Sequence, residues 1–203
     1  FIRRFGRLAY RRPLTGTEEA RWLAVATETG SADHWVGLRS VVAGMLQSPW
    51  VVYRTDVGHP DPADPTLYQL DDYELAARLA FVLWNTAPDA ALLDAAEAGR
   101  LSTPAGLAVE VDRLLDDERV RDATEVFFEQ YLDLPRFDRA APDPATYPGW
   151  NPALQAAMRA ETLLLVDDLI YRKNGDVRQL FSERRAFVND ALAAHYGLDV
   201  PDA

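Results

Sequence analysis

The amino-acid sequence predicts an all-α protein, a multi-helix bundle around a buried central helix at about residues 72–85, with a small helical unit before it. Apolar residues recur along most of the chain with the spacing of one helix face. The only strand-like run, at residues 50–53, has no second run in the sequence with which to pair. Residues that typically start and end helices separate the periodic segments, and they indicate about eight or nine helices.

The predicted central helix begins with Asp71 three residues before Glu74, the spacing of a capping box. The apolar residues that follow the capping box cover almost the whole circumference of the helix. One stripe contains Leu75, Ala76, Leu79, Val82 and Leu83, and the opposite side carries Tyr73, Ala77, Ala80 and Trp84. A helix with so little polar surface needs other helices on at least two sides, so we expect the other segments to pack around it.

Residues 1–54 are predicted to form a unit of three helices. Pro13 ends the first helix, and Thr15, three residues before Glu18, opens the second with another capping-box spacing. The third helix begins after Asp33. These boundaries predict a small helical unit that precedes the main bundle.

A connector follows this unit. Residues 50–53 are apolar but lack a partner strand, so we interpret them as extended chain. Residues 56–66 contain three prolines and three aspartates, a composition typical of a loop. We therefore expect two domains, a three-helix unit at 1–54 and a helical bundle at 67–203.

The second half of the chain also contains residues that typically start and end helices. Pro88 and Gly99 match the preferred start and end of a helix, and Ser102 is predicted to cap the next one. Residues 151–175 are predicted to form the longest helix, and residues 189–196 the final one.

The composition excludes several classes of function. Of 203 residues, 48% are hydrophobic and 26% charged, and no apolar run approaches the length of a membrane span, so we expect a globular chain without a transmembrane segment. A net charge of −11 disfavours nucleic acid as a partner. The chain has no cysteine, which excludes disulfides, thiolate metal sites and thioether-linked haem. We expect no cofactor in this chain. Its start at Phe1 suggests a piece of a longer protein.

Glu161 is an acidic residue at a position predicted to be buried. Its helical angle places it on the apolar stripe of the longest predicted helix, and Asp168 follows seven residues later. One hypothesis is a structural ion pair with an inward-pointing arginine such as Arg54 or Arg78. The other is a general acid with a raised pKa. Both carboxylates are kept as candidate catalytic residues, although no nucleophile–base pair accompanies them in the sequence.

The acidic loop is the other candidate site. Asp56, Asp61 and Asp64 could offer oxygen ligands to a calcium ion, but the loop has neither the glycine nor the distal glutamate of an EF-hand. A solvated loop is the simpler interpretation, so we expect no metal site here.

Several stretches of the chain resemble one known group of proteins. They are FGRLAYRRPLT at 5–15, ELAARL at 74–79, AMRAET at 157–162, FVN at 187–189 and HYG at 195–197. In this order they resemble the uncharacterised bacterial domain family numbered 1592, with the small family 1595 ahead of it.

The resemblance implies an extracytoplasmic, periplasmic or secreted, setting, because proteins of this kind are exported and carry a planctomycete-type cytochrome c module elsewhere in the chain. It implies no activity and no catalytic residues, and haem c would belong to absent parts of the parent protein. The favoured hypothesis is a non-catalytic scaffold or docking module that binds other domains of the parent chain or protein partners. The alternative is an enzyme domain, polymer-degrading or redox-associated, that uses Glu161 as an acid or base.

Overall fold

The computed structural model describes residues 1–54 and 56–198. This part of the chain is all-α, as predicted, apart from one two-stranded hairpin. It divides into two compact units, the first ending at Val120 and the second beginning at Arg121. The helices are α1 (Ile2–Tyr10), α2 (Gly16–Thr29), α3 (His34–Leu46), α4 (Pro49–Val52), α5 (Asp72–Trp84), α6 (Ala90–Glu97), α7 (Pro104–Leu115), α8 (Arg119–Tyr131), α9 (Leu134–Phe137), α10 (Pro152–Asp167) and α11 (Asp190–Tyr196).

The first three helices form where the sequence predicts them. The capping box of Thr15 and Glu18 opens α2, and the Asp33 side chain caps α3. The two helices pack closely because Gly30 and Gly37 face each other where they meet. Their core contains Tyr10, Leu14, Trp22, Val41 and Met45.

The interpretation of residues 50–53 as extended chain is wrong. Residues 49–52 form α4, a single helical turn that starts at Pro49 and is capped by the Ser48 side chain. A helix of four residues is too short to show apolar periodicity in the sequence. The other unpredicted helix, α9, is equally short and also has a proline in its first turn.

The acidic connector contains the hairpin. His59–Pro60 (β1) pairs antiparallel with Tyr68–Gln69 (β2). Gly58 precedes β1 with a φ of 62°, and a Cβ atom there would lie 2.8 Å from the carbonyl oxygen of Gln69. Only glycine adopts this backbone without strain, so the turn into the hairpin is fixed at this position.

Helix α5 matches the predicted central helix in position and in its capping box. It packs against α6 and α7 through Ala76, Ala80 and Trp84, which are buried. Val82, placed by the sequence on a buried stripe, is 71% exposed. The small alanines let neighbouring helices approach one side of α5 closely, and the Val82 side remains open.

Two helices begin slightly later than predicted. Pro88, expected in the first turn of α6, lies before the cap Asp89, and Thr103 rather than Ser102 caps α7. The Ser102 hydroxyl instead hydrogen-bonds the carboxylate of Asp72 in the first turn of α5. Adjacent residues compete for a cap, and the contact with α5 decides the outcome for Ser102.

The second unit is organised by α10, which packs against α11. Leu154 and Ala157 form a core with Leu192 of α11. At Asp168 the α-helix widens into a π-helical turn that ends at Arg172, and a 3₁₀ turn follows at Val177–Phe181. The long helix was predicted, whereas the π-turn was not.

None of the helices described in residues 1–54 and 56–198 has the length and hydropathy that crossing a bilayer requires.

Candidate functional site

Glu161 lies on α10 and is half-buried. Its Oε2 accepts a hydrogen bond of 2.7 Å from the hydroxyl of Tyr196 on α11. This bond and burial raise the pKa of Tyr196, with the bond to the carboxylate as the larger cause. A tyrosine therefore occupies the place where the structural hypothesis expected an arginine.

The two arginines suggested as partners of Glu161 have other neighbours in the first unit. Arg78 forms an ion pair of 3.1 Å with Asp56. The guanidinium of Arg54 lies 3.9 Å from the ring centre of Phe81. Each of these arginines thus has a neighbour within its own unit, as Glu161 has in Tyr196.

Asp168 is the more deeply buried of the two candidate carboxylates, with 8% of the residue exposed. Its Oδ2 lies 3.0 Å from Nη1 of Arg185 and 3.2 Å from Nζ of Lys173. Both cations therefore meet the same oxygen of this carboxylate at the start of the π-turn. This arrangement suits a structural ion cluster.

The three aspartates of the connector, Asp56, Asp61 and Asp64, each bind different groups of the protein. Asp56 pairs with Arg78, and Asp61 accepts hydrogen bonds from the backbone of Ala63 and from Gln69. Asp64 accepts from the backbone and hydroxyl of Thr66. Within the described residues, no three metal-ligating side chains come together.

A cavity of about 360 Å³ opens where α1, α4, the hairpin and the start of α5 meet. Its aromatic walls are Tyr10, Trp50 and Tyr73. Glu74 stands at the hairpin side and accepts hydrogen bonds from the backbone N–H groups of Val57, Gly58 and Asp71. Burial by itself would raise the pKa of Glu74, but these bonds outweigh it and lower the pKa.

Arg12 forms the opposite, cationic wall. Its guanidinium stacks over the Trp50 ring at 4.6 Å and makes two hydrogen bonds of 2.9 Å with Glu18. The hydrogen bond from Arg12 is the main reason why the pKa of Glu18 falls to about 2. Both charged walls of the cavity are thus engaged with the protein itself, which favours a structural joint over a reacting centre.

Sequence reasoning missed the buried Glu110 of α7, which is 6% exposed. Its carboxylate accepts hydrogen bonds from Arg113 at 2.9 Å and from Arg100 at 3.3 Å. Arg113 also binds Asp89, the cap of α6, and so links two helix ends. The spacing of Glu110 and Arg113, three residues apart on one helix, could have indicated the pair.

An apolar surface lies on α3 beside its buried face. Trp35, Leu38, Val42 and Leu46, which we call the α3 stripe, line an open groove of about 470 Å³ together with Phe1. Trp35 is 61% exposed and Leu46 50%. Arg39 is the charged residue at the edge of the groove.

Two protein-family models match segments of the chain. Residues 1–56 match the model of PSD5, Protein of unknown function (DUF1595). No curated protein and no solved structure matches the chain. Residues 70–198, more than half of the chain, match the model of PSD4, Protein of unknown function (DUF1592), and the chain therefore belongs to that family.

Proposed function

We propose that the chain is a non-catalytic helical docking module of a larger, exported, cytochrome-c-linked protein. The extracytoplasmic setting and the cytochrome link follow from the sequence resemblance. The docking role is argued from the described residues. In this proposal the partner is a protein segment, either in another domain of the parent chain or in a separate protein.

The α3 stripe is the observation that carries the proposal. Its members lie at positions i, i+3, i+7 and i+11, so they form one continuous line on the helix. An exposed tryptophan in such a line is typical of a groove that receives the apolar face of another helix. Arg39 at its edge adds a preference for an acidic side chain on the incoming segment.

The candidate carboxylates support a module over an enzyme. Asp168 is neutralised by Arg185 and Lys173, and Glu161 accepts from Tyr196. The cavity nearest to them, of about 390 Å³ between α8 and α10, is lined by Asp167 and Tyr171, and neither Glu161 nor Asp168 is among its lining residues. The enzyme alternative would need Glu161 at a substrate cavity.

Site-specific photo-crosslinking in the complete natural protein tests the proposal. A photoreactive amino acid replaces Trp35, and a matched variant carries it at Leu23 of α2, which is also 61% exposed. We expect position 35 to crosslink to a peptide that has apolar residues at helical spacing and an acidic residue beside them. The crosslink should disappear when Leu46→Asp places a charge in the stripe. Equal crosslinking from positions 35 and 23 would contradict docking on α3.

A further inference from the structure

A second, smaller cavity of about 180 Å³ lies in the first unit, between the end of α1, the chain after α4 and the exposed side of α5. Three arginines and one aspartate line it, above an apolar wall. The lining residues are Arg11, Arg54, Asp56, Ala77, Arg78, Phe81 and Val82. Its formal charge is therefore +2 in a chain whose net charge is −11.

Arg11 is the innermost of the three cations, with 9% of the residue exposed. One of its guanidinium nitrogens, Nη2, donates to the carbonyl oxygens of Trp50 at 2.6 Å and Tyr53 at 3.0 Å. Among the described residues, Arg11 forms no ion pair with a carboxylate. Burial, and then the charge of Arg54, lower the pKa of Arg11.

Arg54 and Arg11 both lie near the ring of Phe81. The two guanidinium groups lie 3.9 Å and 5.6 Å from the ring centre. Arg54 also has no carboxylate partner among the described residues. The aspartate of the cavity, Asp56, is already bound to Arg78. Arg11 and Arg54 therefore line one small cavity, and neither is ion-paired with its aspartate.

We propose that this cavity binds an oxyanion, namely the carboxylate or phosphate group of a small ligand. Guanidinium groups offer paired N–H donors that match both groups, and the Arg54 guanidinium lies 3.9 Å from the ring centre of Phe81. A bound anion would also separate the like charges of Arg11 and Arg54. A cavity of about 180 Å³ has room for a group of this size.

This inference does not rest on docking at the α3 stripe, because the cavity shares no residue with it. It would hold equally if the chain were an enzyme. The exposed apolar neighbour Val82, at 71%, leaves room for the remainder of a ligand outside the cavity.

Isothermal titration calorimetry of the 203-residue chain tests the proposal, with inorganic phosphate and succinate as probes at constant ionic strength. We expect saturable binding of one probe per chain. Tighter binding of phosphate assigns the site to phosphate groups, and tighter binding of succinate assigns it to carboxylates. Absence of saturable binding by both probes would overturn the proposal.

Two substitutions with opposite signs sharpen the test. Arg54→Gln removes an unpaired cation and should weaken binding about tenfold, since a charge-assisted hydrogen bond contributes roughly that factor. Asp56→Asn removes the competing carboxylate and should tighten binding.

The matched controls are Arg21→Gln, an exposed arginine near the Trp22 ring, and Glu28→Gln, an exposed acid on α2. Circular dichroism verifies that each variant is folded. If the controls change affinity as much as the cavity variants do, general charge is responsible and the site is refuted.

Discussion

The hydroxyl of Tyr196 donates a hydrogen bond of 2.7 Å to Glu161, 35 residues earlier in the chain, and so ties the last described helix to α10. We expect Tyr196→Phe to lower the free energy of unfolding by about 0.5–1.5 kcal/mol, the net value of one hydrogen bond. Glu161→Ala should cost a similar amount, well below the roughly 3–5 kcal/mol of a broken buried ion pair. Urea denaturation measures both.

Tyr147→Phe is the control for this pair, because Tyr147 is 59% exposed and lies in a loop. It should change stability by less than about 0.5 kcal/mol. A double-mutant cycle of Tyr196→Phe and Glu161→Ala isolates the coupling. Additive losses would show that the hydrogen bond contributes nothing in solution.

The ion cluster at the π-turn predicts a non-additive result. Asp168 is buried, whereas the side chains of Lys173 and Arg185 are each 43% exposed. Either cation alone can still neutralise the carboxylate, so each single alanine variant should cost about 1 kcal/mol or less. The double variant leaves a buried charge unpaired and should cost about 3–5 kcal/mol. Chemical denaturation of the three variants checks this, and purely additive effects would contradict it.

The crossing of α2 and α3 predicts contrasting effects at two glycines. A Cβ atom on Gly37 would lie 2.3 Å from the backbone oxygen of Ala26, whereas one on Gly16 would meet nothing within 4 Å. Gly37→Ala should therefore destabilise the chain by about 1–3 kcal/mol, because the helices must move apart. Gly16→Ala should be neutral or stabilising by up to about 1 kcal/mol. Thermal unfolding compares them, and equal melting temperatures would contradict the close crossing.

The pair of Arg12 and Glu18 predicts a dependence of stability on pH. The pKa of Glu18 is about 2 in the folded chain, compared with an ordinary value of 4.5. Because the pKa of Glu18 is lower in the folded chain, its carboxylate stabilises the fold at pH values above the ordinary pKa. This contribution disappears as the pH falls from about 4.5 towards about 2.

We therefore expect the stability difference between the natural chain and Glu18→Gln to be greatest near neutral pH and to shrink across that acidic range. Urea denaturation at several pH values measures the difference. Glu28→Gln, on the exposed side of the same helix, serves as the control. A constant difference for Glu18→Gln would contradict the predicted linkage.

Trp84 predicts a damaging substitution in the core of the first unit. Its Nε1 donates a buried hydrogen bond of 2.9 Å to the carbonyl oxygen of Leu114, which also accepts a longer bond of 3.4 Å from the backbone N–H of Asp117. Trp84→Phe removes the shorter of these bonds and part of a buried ring, so we expect a loss of about 1–3 kcal/mol. Trp35→Phe, at an exposed position, should change stability by less than about 0.5 kcal/mol. Similar losses for both tryptophans in urea denaturation would argue against the buried bond.

The helices themselves were predictable because their signals are local. Thr15 with Glu18 and Asp71 with Glu74 act across three residues, and each capping box forms as the sequence predicts. Gly197 likewise ends α11 in the left-handed conformation that glycine favours. The all-α fold class follows from such signals together with apolar periodicity. The division into domains at 1–54 and 67–203 stays a prediction. The two compact units of the structure meet at residue 120, a division of another kind that does not test it.

The partners of the charged groups depended on the tertiary structure. Periodicity placed Glu161 and Asp168 near one apolar stripe, but it carried no information about Tyr196 or Arg185, which come from distant segments. It also could not decide which side of α5 is covered, so the exposure of Val82 was not foreseen. The sequence by itself determined where most of the longer helices lie, because caps and turns depend on residues within a few positions, but it missed the single-turn helices α4 and α9. Only the tertiary structure decided which cations meet which carboxylates, because those contacts depend on how separate helices are placed in space.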